Sequence, residues 1–97
     1  MISKTFLIVD DDAMQRNCIS NFCKKRKIPA ETAESYDQAI EKIKAAPNKY
    51  SVIMIDLYLD EDPNITAYKL SGEIKAIAGD QLGKLILMSG GKIDKYN

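Results

Sequence analysis

Three short apolar runs in this chain end in the same way. Phe6-Leu7-Ile8-Val9 runs into Asp10-Asp11-Asp12, Val52-Ile53-Met54-Ile55 into Asp56, and Leu85-Ile86-Leu87-Met88 into Ser89-Gly90-Gly91. Four consecutive apolar residues leave no side for water, so each run reads as a strand buried on both faces, as parallel strands are. A fourth stretch, Ala30 to Glu34, alternates apolar and polar residues and reads as an edge strand.

The segments between the strands carry helical spacing. Met14, Cys18, Ile19 and Phe22 form one stripe, Tyr36, Ala39, Ile40 and Ile43 a second, and Ala67, Leu70, Ile74 and Ile77 a third. Asp12 is placed to cap the first helix, and Lys24-Lys25-Arg26-Lys27 closes it, where cations suit the helix dipole. Pro47-Asn48 ends the second helix and Gly79 is placed to cap the third. The order β-α-β-α-β-α-β calls for right-handed crossovers and a doubly wound parallel sheet with helices on both faces. With the alternating strand at the edge, the predicted strand order is 2-1-3-4.

Composition narrows the function. Ninety-seven residues make one domain with a small core, and 45% apolar with 29% charged residues is ordinary for a soluble globular chain. Fourteen basic residues balance fourteen acidic ones, so neither nucleic acid nor an anionic membrane is an expected direct partner. The absence of His excludes His-based acid–base chemistry and His metal sites within the chain. Cys18 and Cys23 are five apart on one helix, on different faces, so no disulfide between them is expected and a reduced, cytoplasmic setting fits. The apolar runs fall far short of the roughly 20 residues of a membrane span, and the N-terminus lacks a signal-peptide core.

In an open α/β sheet, ligands bind beyond the carboxyl ends of the strands where the strand order reverses. Order 2-1-3-4 makes strands 1 and 3 neighbours, so Asp10, Asp11 and Asp56 converge there, with Ser89 beside them. Any one of these residues alone fits a helix cap or a loop; the whole set does not. Three carboxylates brought together repel, and a hard divalent cation relieves the repulsion. Oxygen-only ligands suit Mg²⁺.

The three run-and-terminus segments, in this order and spacing, resemble the signature segments of response-regulator receiver domains, which have the CheY-like, flavodoxin-like fold. The resemblance covers essentially the whole chain. It implies a phosphoryl-accepting module of a two-component or phosphorelay system, phosphorylated on Asp56 with Mg²⁺. By the same resemblance Asp11 ligates the ion directly, Asp10 through water, and the backbone carbonyl of Tyr58 completes the protein ligands. Ser89 hydrogen-bonds the phosphoryl group, and backbone N–H groups at Leu57 and Gly90 contact it, with Gly90 and Gly91 allowing close approach. The implied partner is a phospho-His donor, a histidine kinase or a phosphotransfer protein. Helix 1 is the family's usual docking surface, which gives Lys24 to Lys27 a second reading as a contact patch. The implied chemistry is the chain's own phosphorylation and dephosphorylation, with no other turnover.

The chain departs from the family pattern in two places. The helix, fifth strand and final helix that follow strand 4 are missing, and with them the family's Lys; Lys92 or Lys95 from the tail is the substitute on offer. The expectation is an incomplete receiver domain spanning 1–97, either a fragment or a chain that completes itself as a homodimer along the strand 4 edge, which is otherwise exposed. The loop after Asp56 is also atypical and carries Asp60-Glu61-Asp62, a solvated acidic run. Two other functions follow from these features. One is a degenerate receiver serving as a phosphorylation-independent interaction or dimerisation module. The other is a phosphatase of the haloacid-dehalogenase type, suggested by Asp10-x-Asp12 but lacking that family's later acidic motif.

Overall fold

The computed structural model describes residues 5–56, 59, 63–79 and 83–88. The elements follow in the predicted order: β1 (Thr5–Val9), α1 (Ala13–Lys25), β2 (Ala30–Ala33), α2 (Tyr36–Ala45), β3 (Tyr50–Asp56), α3 (Pro63–Ala78) and β4 (Lys84–Met88). The four strands form one parallel sheet in the order β2-β1-β3-β4. The strands begin one or two residues earlier than the apolar runs do, at Thr5, Tyr50 and Lys84, because backbone pairing extends past the residues that bury side chains.

The helix boundaries have local causes. Asp12 caps α1 by accepting the Met14 N–H at 2.9 Å, and Ser35 caps α2 by accepting the Gln38 N–H at 3.2 Å. At the end of α1, the N–H groups of Lys27 and Ile28 donate to the carbonyls of Lys24 and Cys23. This requires Lys27 to take a φ of 59°, in the left-handed region. Gly79 has a φ of 54° just past α3, the conformation for which a glycine is suited.

From β1 to β2 the chain moves one way along the sheet; from β2 through β3 to β4 it moves the other way. Right-handed crossovers therefore put α1 on one face and α2 and α3 on the other. Period-2 alternation sorts the strand side chains accordingly. Leu7, Val9, Ile53 and Ile55 form the main core with Ala39 and Ile43 of α2 and Ala67, Leu70 and Ile74 of α3. Ile8 is buried on the opposite side, where α1 contributes Cys23.

The edge strand β2 is held by polar contacts as well as by the ladder. Glu31 takes the Tyr50 hydroxyl at 2.8 Å, the Lys42 ammonium at 3.4 Å and the Lys49 ammonium. The Lys49 contact leads in holding the Glu31 carboxyl below its usual range, against the opposing effect of burial.

Of the α1 stripe expected in the core, Ile19 is half-buried and the other three residues are turned to solvent. Met14 is 80% and Phe22 51% exposed, and Cys18 is exposed too. The inward seam is instead Arg16, Ile19, Ser20 and Cys23, spaced i, i+3, i+4, i+7. A polar anchor sets this rotation. Arg16 donates to the Asp10 carbonyl and faces Glu34, so its side of the helix must look inward. Phe22 lies under the Arg26 guanidinium, 3.8 Å from the ring centroid. The helical stripes of α2 and α3 point inward as expected. The cysteines are unpaired, Cys23 packed in the interior and Cys18 on the surface.

At the other sheet edge, β4 pairs with β3 alone among the described residues, and Leu85, Ile86 and Leu87 are half-buried. Gly83 leads into β4 across the Ser51 main chain, so close that a Cβ there would run into the Ser51 carbonyl. No described helix is long and apolar enough to cross a membrane.

Candidate functional site

β1 and β3 deliver the site. Val9 pairs with Ile55, so Asp10 and Asp56 leave the sheet side by side at the switch point. Asp10, Asp11 and Asp56 each offer a carboxylate oxygen, all within 4.8 Å of one another. Asp10 and Asp56 are buried and Asp11 is exposed. This is the convergence expected from strand order alone.

Asp10 is pinned atom by atom. Its N–H donates to the Ala33 carbonyl at 3.0 Å, which continues the β1–β2 ladder by one step. Its own carbonyl accepts from Arg16 Nη1 at 2.7 Å. Its Oδ1 accepts the Asp12 N–H at 2.9 Å. Its Oδ2 is buried without a hydrogen-bond partner.

Burial pushes the Asp10 carboxyl up to about 6, with the Asp12 N–H pulling it down and the charges of Asp56 and Asp11 adding to the push. A cation would satisfy an orphaned, buried carboxylate oxygen beside two further carboxylates, and the donors are hard oxygens only. The residues present fit Mg²⁺ or another hard divalent ion.

Several expected site residues, Leu57, Tyr58, Ser89 and Gly90, lie outside the described residues, as do Gly91, Lys92, Lys95 and the acidic run 60–62. Leu59, just beyond β3, is buried in the main core. Asp12 stands apart from the carboxylate trio as the cap of α1.

Sequence reasoning missed Arg16 and Glu34, which flank the site from α1 and from the end of β2. Arg16 Nη2 lies 3.6 Å from Glu34 Oε2, and the Arg16 side chain is only 16% exposed. The available signal was an Arg one helical turn beyond Asp12, on a helix that otherwise carries its cations at the far end.

No protein-family model matches the sequence, and no curated protein matches it. Solved structures do. The chain is similar to the chemotaxis protein CheY4 of Vibrio cholerae, with a TM-score of 0.75 and 17% identity over 96% of this chain and 76% of that one. It is similar to the response regulator TrrA of Thermotoga maritima, solved in complex with Mg(2+)-BeF, with a TM-score of 0.64 and 18% identity over 96% and 93%. It is also similar to the receiver domain of Saccharomyces cerevisiae Ssk1, solved with the histidine phosphotransfer protein Ypd1. That match has a TM-score of 0.65 and 22% identity over 88% of this chain and 61% of that one. The described strands and helices and their parallel order thus make up the fold of a CheY-like response-regulator receiver domain.

Proposed function

We propose that this chain is a phosphorelay receiver module that accepts a phosphoryl group on Asp56. The observation that carries this reading is the carboxylate trio at the switch point of a receiver fold, with Asp10 Oδ2 buried and unpartnered. Asp10 and Asp11 would hold Mg²⁺ together with Asp56. The ion would supply charge neutralisation at the transferring phosphoryl group, the main requirement of this reaction.

The chain's own residues do the rest. The Asp56 carboxylate oxygen attacks phosphorus and a new O–P bond forms, while the N–P bond to the donor imidazole breaks and that nitrogen regains its proton from solvent. The names of two similar structures support the partner set: Mg(2+)-BeF on TrrA and Ypd1 on Ssk1. The donor's place on this chain is α1, which starts beside Asp11 and Asp12 and leaves Met14 and Phe22 exposed. Ser89, Leu57, Gly90 and the Tyr58 carbonyl keep their proposed phosphoryl and metal contacts, and a cytoplasmic location goes with them. The chain catalyses no turnover other than its own phosphorylation and dephosphorylation. The capping role of Asp12 supports this, since the alternative phosphatase reading needs Asp12 in the site.

Intact-protein mass after incubation with a small acyl-phosphate donor and Mg²⁺ tests the proposal. The parent and Asp12→Asn should each gain one phosphoryl group, and Asp56→Asn none. Equal loss in Asp12→Asn and Asp56→Asn overturns the assignment.

The half-buried apolar edge of β4 favours a second reading, in which two copies pair along that strand. Sedimentation should then show a concentration-dependent dimer. A dimer that ignores the donor, in a chain that takes no phosphoryl group, marks the phosphorylation-independent module. A monomer at every concentration removes the pairing.

A further inference from the structure

We propose that Arg16 is a positioning residue for the cation site, fixing the Asp10–Asp11 peptide so that both carboxylates address one ion. This rests on the cation reading of the trio.

The guanidinium makes an unexpected choice of partner. It lies on the main chain of Asp10, a member of the carboxylate trio whose Oδ2 is buried without a partner. A counter-ion for the trio would take that oxygen. Arg16 instead donates to the neutral Asp10 carbonyl at 2.7 Å and turns its other nitrogen towards Glu34 at 3.6 Å. The carboxylate oxygen is left for a ligand.

The carbonyl it holds is the one that β2 leaves unserved. The ladder ends with the Asp10 N–H on the Ala33 carbonyl, because the chain turns at Glu34 into α2. Arg16 supplies the missing donor. A peptide unit is rigid, so a bond on the Asp10 carbonyl also sets the Asp11 N–H and the direction in which Asp11 leaves the strand. With Oδ1 held by Asp12, the Arg16 bond completes the set that leaves only Oδ2 open.

Charge and position predict opposite signs. Removing a cation near a metal site should tighten metal binding by Coulomb's law. Removing a support behind the ligands should loosen it, by about 10- to 100-fold for outer-shell partners of metal ligands. Arg16→Gln removes the charge. Arg16→Lys keeps the charge and the buried stem but loses the planar fork, and is the variant expected to fold.

The experiment is Mg²⁺ titration by calorimetry of the full chain and both variants, with metal-free thermal unfolding and the amide nitrogen spectrum alongside. Both variants should bind Mg²⁺ about 10- to 100-fold more weakly, with the Asp11 amide signal displaced before metal is added. Parent-like affinity in folded Arg16→Lys overturns the inference. So does tighter binding in Arg16→Gln, which marks a pure charge effect, or a lower melting temperature with unchanged affinity, which marks a structural tie. No Mg²⁺ binding by the parent overturns the cation reading and, with it, this inference.

Discussion

At the scale of single residues, Asp10 shows how a strand end becomes a ligand. Three of its four polar atoms serve the fold, on the Ala33 carbonyl, Arg16 and the Asp12 N–H. The fourth, Oδ2, is buried and open. Its folded-state pKa is raised from 3.8 to about 6, chiefly by burial. A carboxyl raised on folding binds its proton more tightly in the native chain. Its contribution to stability is therefore complete below 3.8 and lost as pH rises through about 6. In chelator, the melting temperature should show this loss across that window, and Asp10→Asn should remove it. Mg²⁺ should restore stability above about 6 and do little below, where protons compete for the same oxygen. Melting curves over pH, with and without Mg²⁺, check both signs.

At the scale of elements, α1 shows where apolar spacing misleads. Met14, Cys18 and Phe22 recur at helical intervals, yet they face water because Arg16 anchors the other side to Asp10 and Glu34. One half-buried, hydrogen-bonded cation outweighs three apolar side chains, since detaching it would leave both its charge and the Asp10 carbonyl unsatisfied. The stripes of α2 and α3 point into the core as their spacing predicts. The other element-level constraint is Gly83. A Cβ there meets the Ser51 main chain, which cannot move without breaking the β3–β4 ladder. Gly83→Ala should cost about 1–3 kcal/mol through overpacking. A lower urea midpoint with an unchanged slope is the expected result.

At the scale of the whole molecule, one reversal of strand order does most of the work. It puts α1 opposite α2 and α3, makes β1 and β3 neighbours, and brings carboxylates more than forty positions apart in sequence to within 4.8 Å. The two faces are unequal, with the larger core under α2 and α3. The cysteines report on the smaller one. Cys18 is exposed, whereas Cys23 is 1% exposed and burial pushes its thiol up. A thiol reagent should label Cys18 at once and Cys23 only on unfolding, so that the slow phase follows global opening and shortens in Gly83→Ala. Two fast thiols in the folded parent would place Cys23 at the surface.

The strand count, the strand order, the helices of the second face and the meeting of Asp10, Asp11 and Asp56 were all legible in the sequence. Each depends on short-range pattern or on handedness: buried parallel strands are continuously apolar, and right-handed crossovers leave few ways to arrange them. The rotation of α1, the open Oδ2 of Asp10 and the Arg16 link to Glu34 were not legible. They are set by which polar atoms remain unsatisfied once strands and helices have packed, a quantity that exists only when the distant ends of β1 and β2 and the start of α1 occupy the same few ångströms.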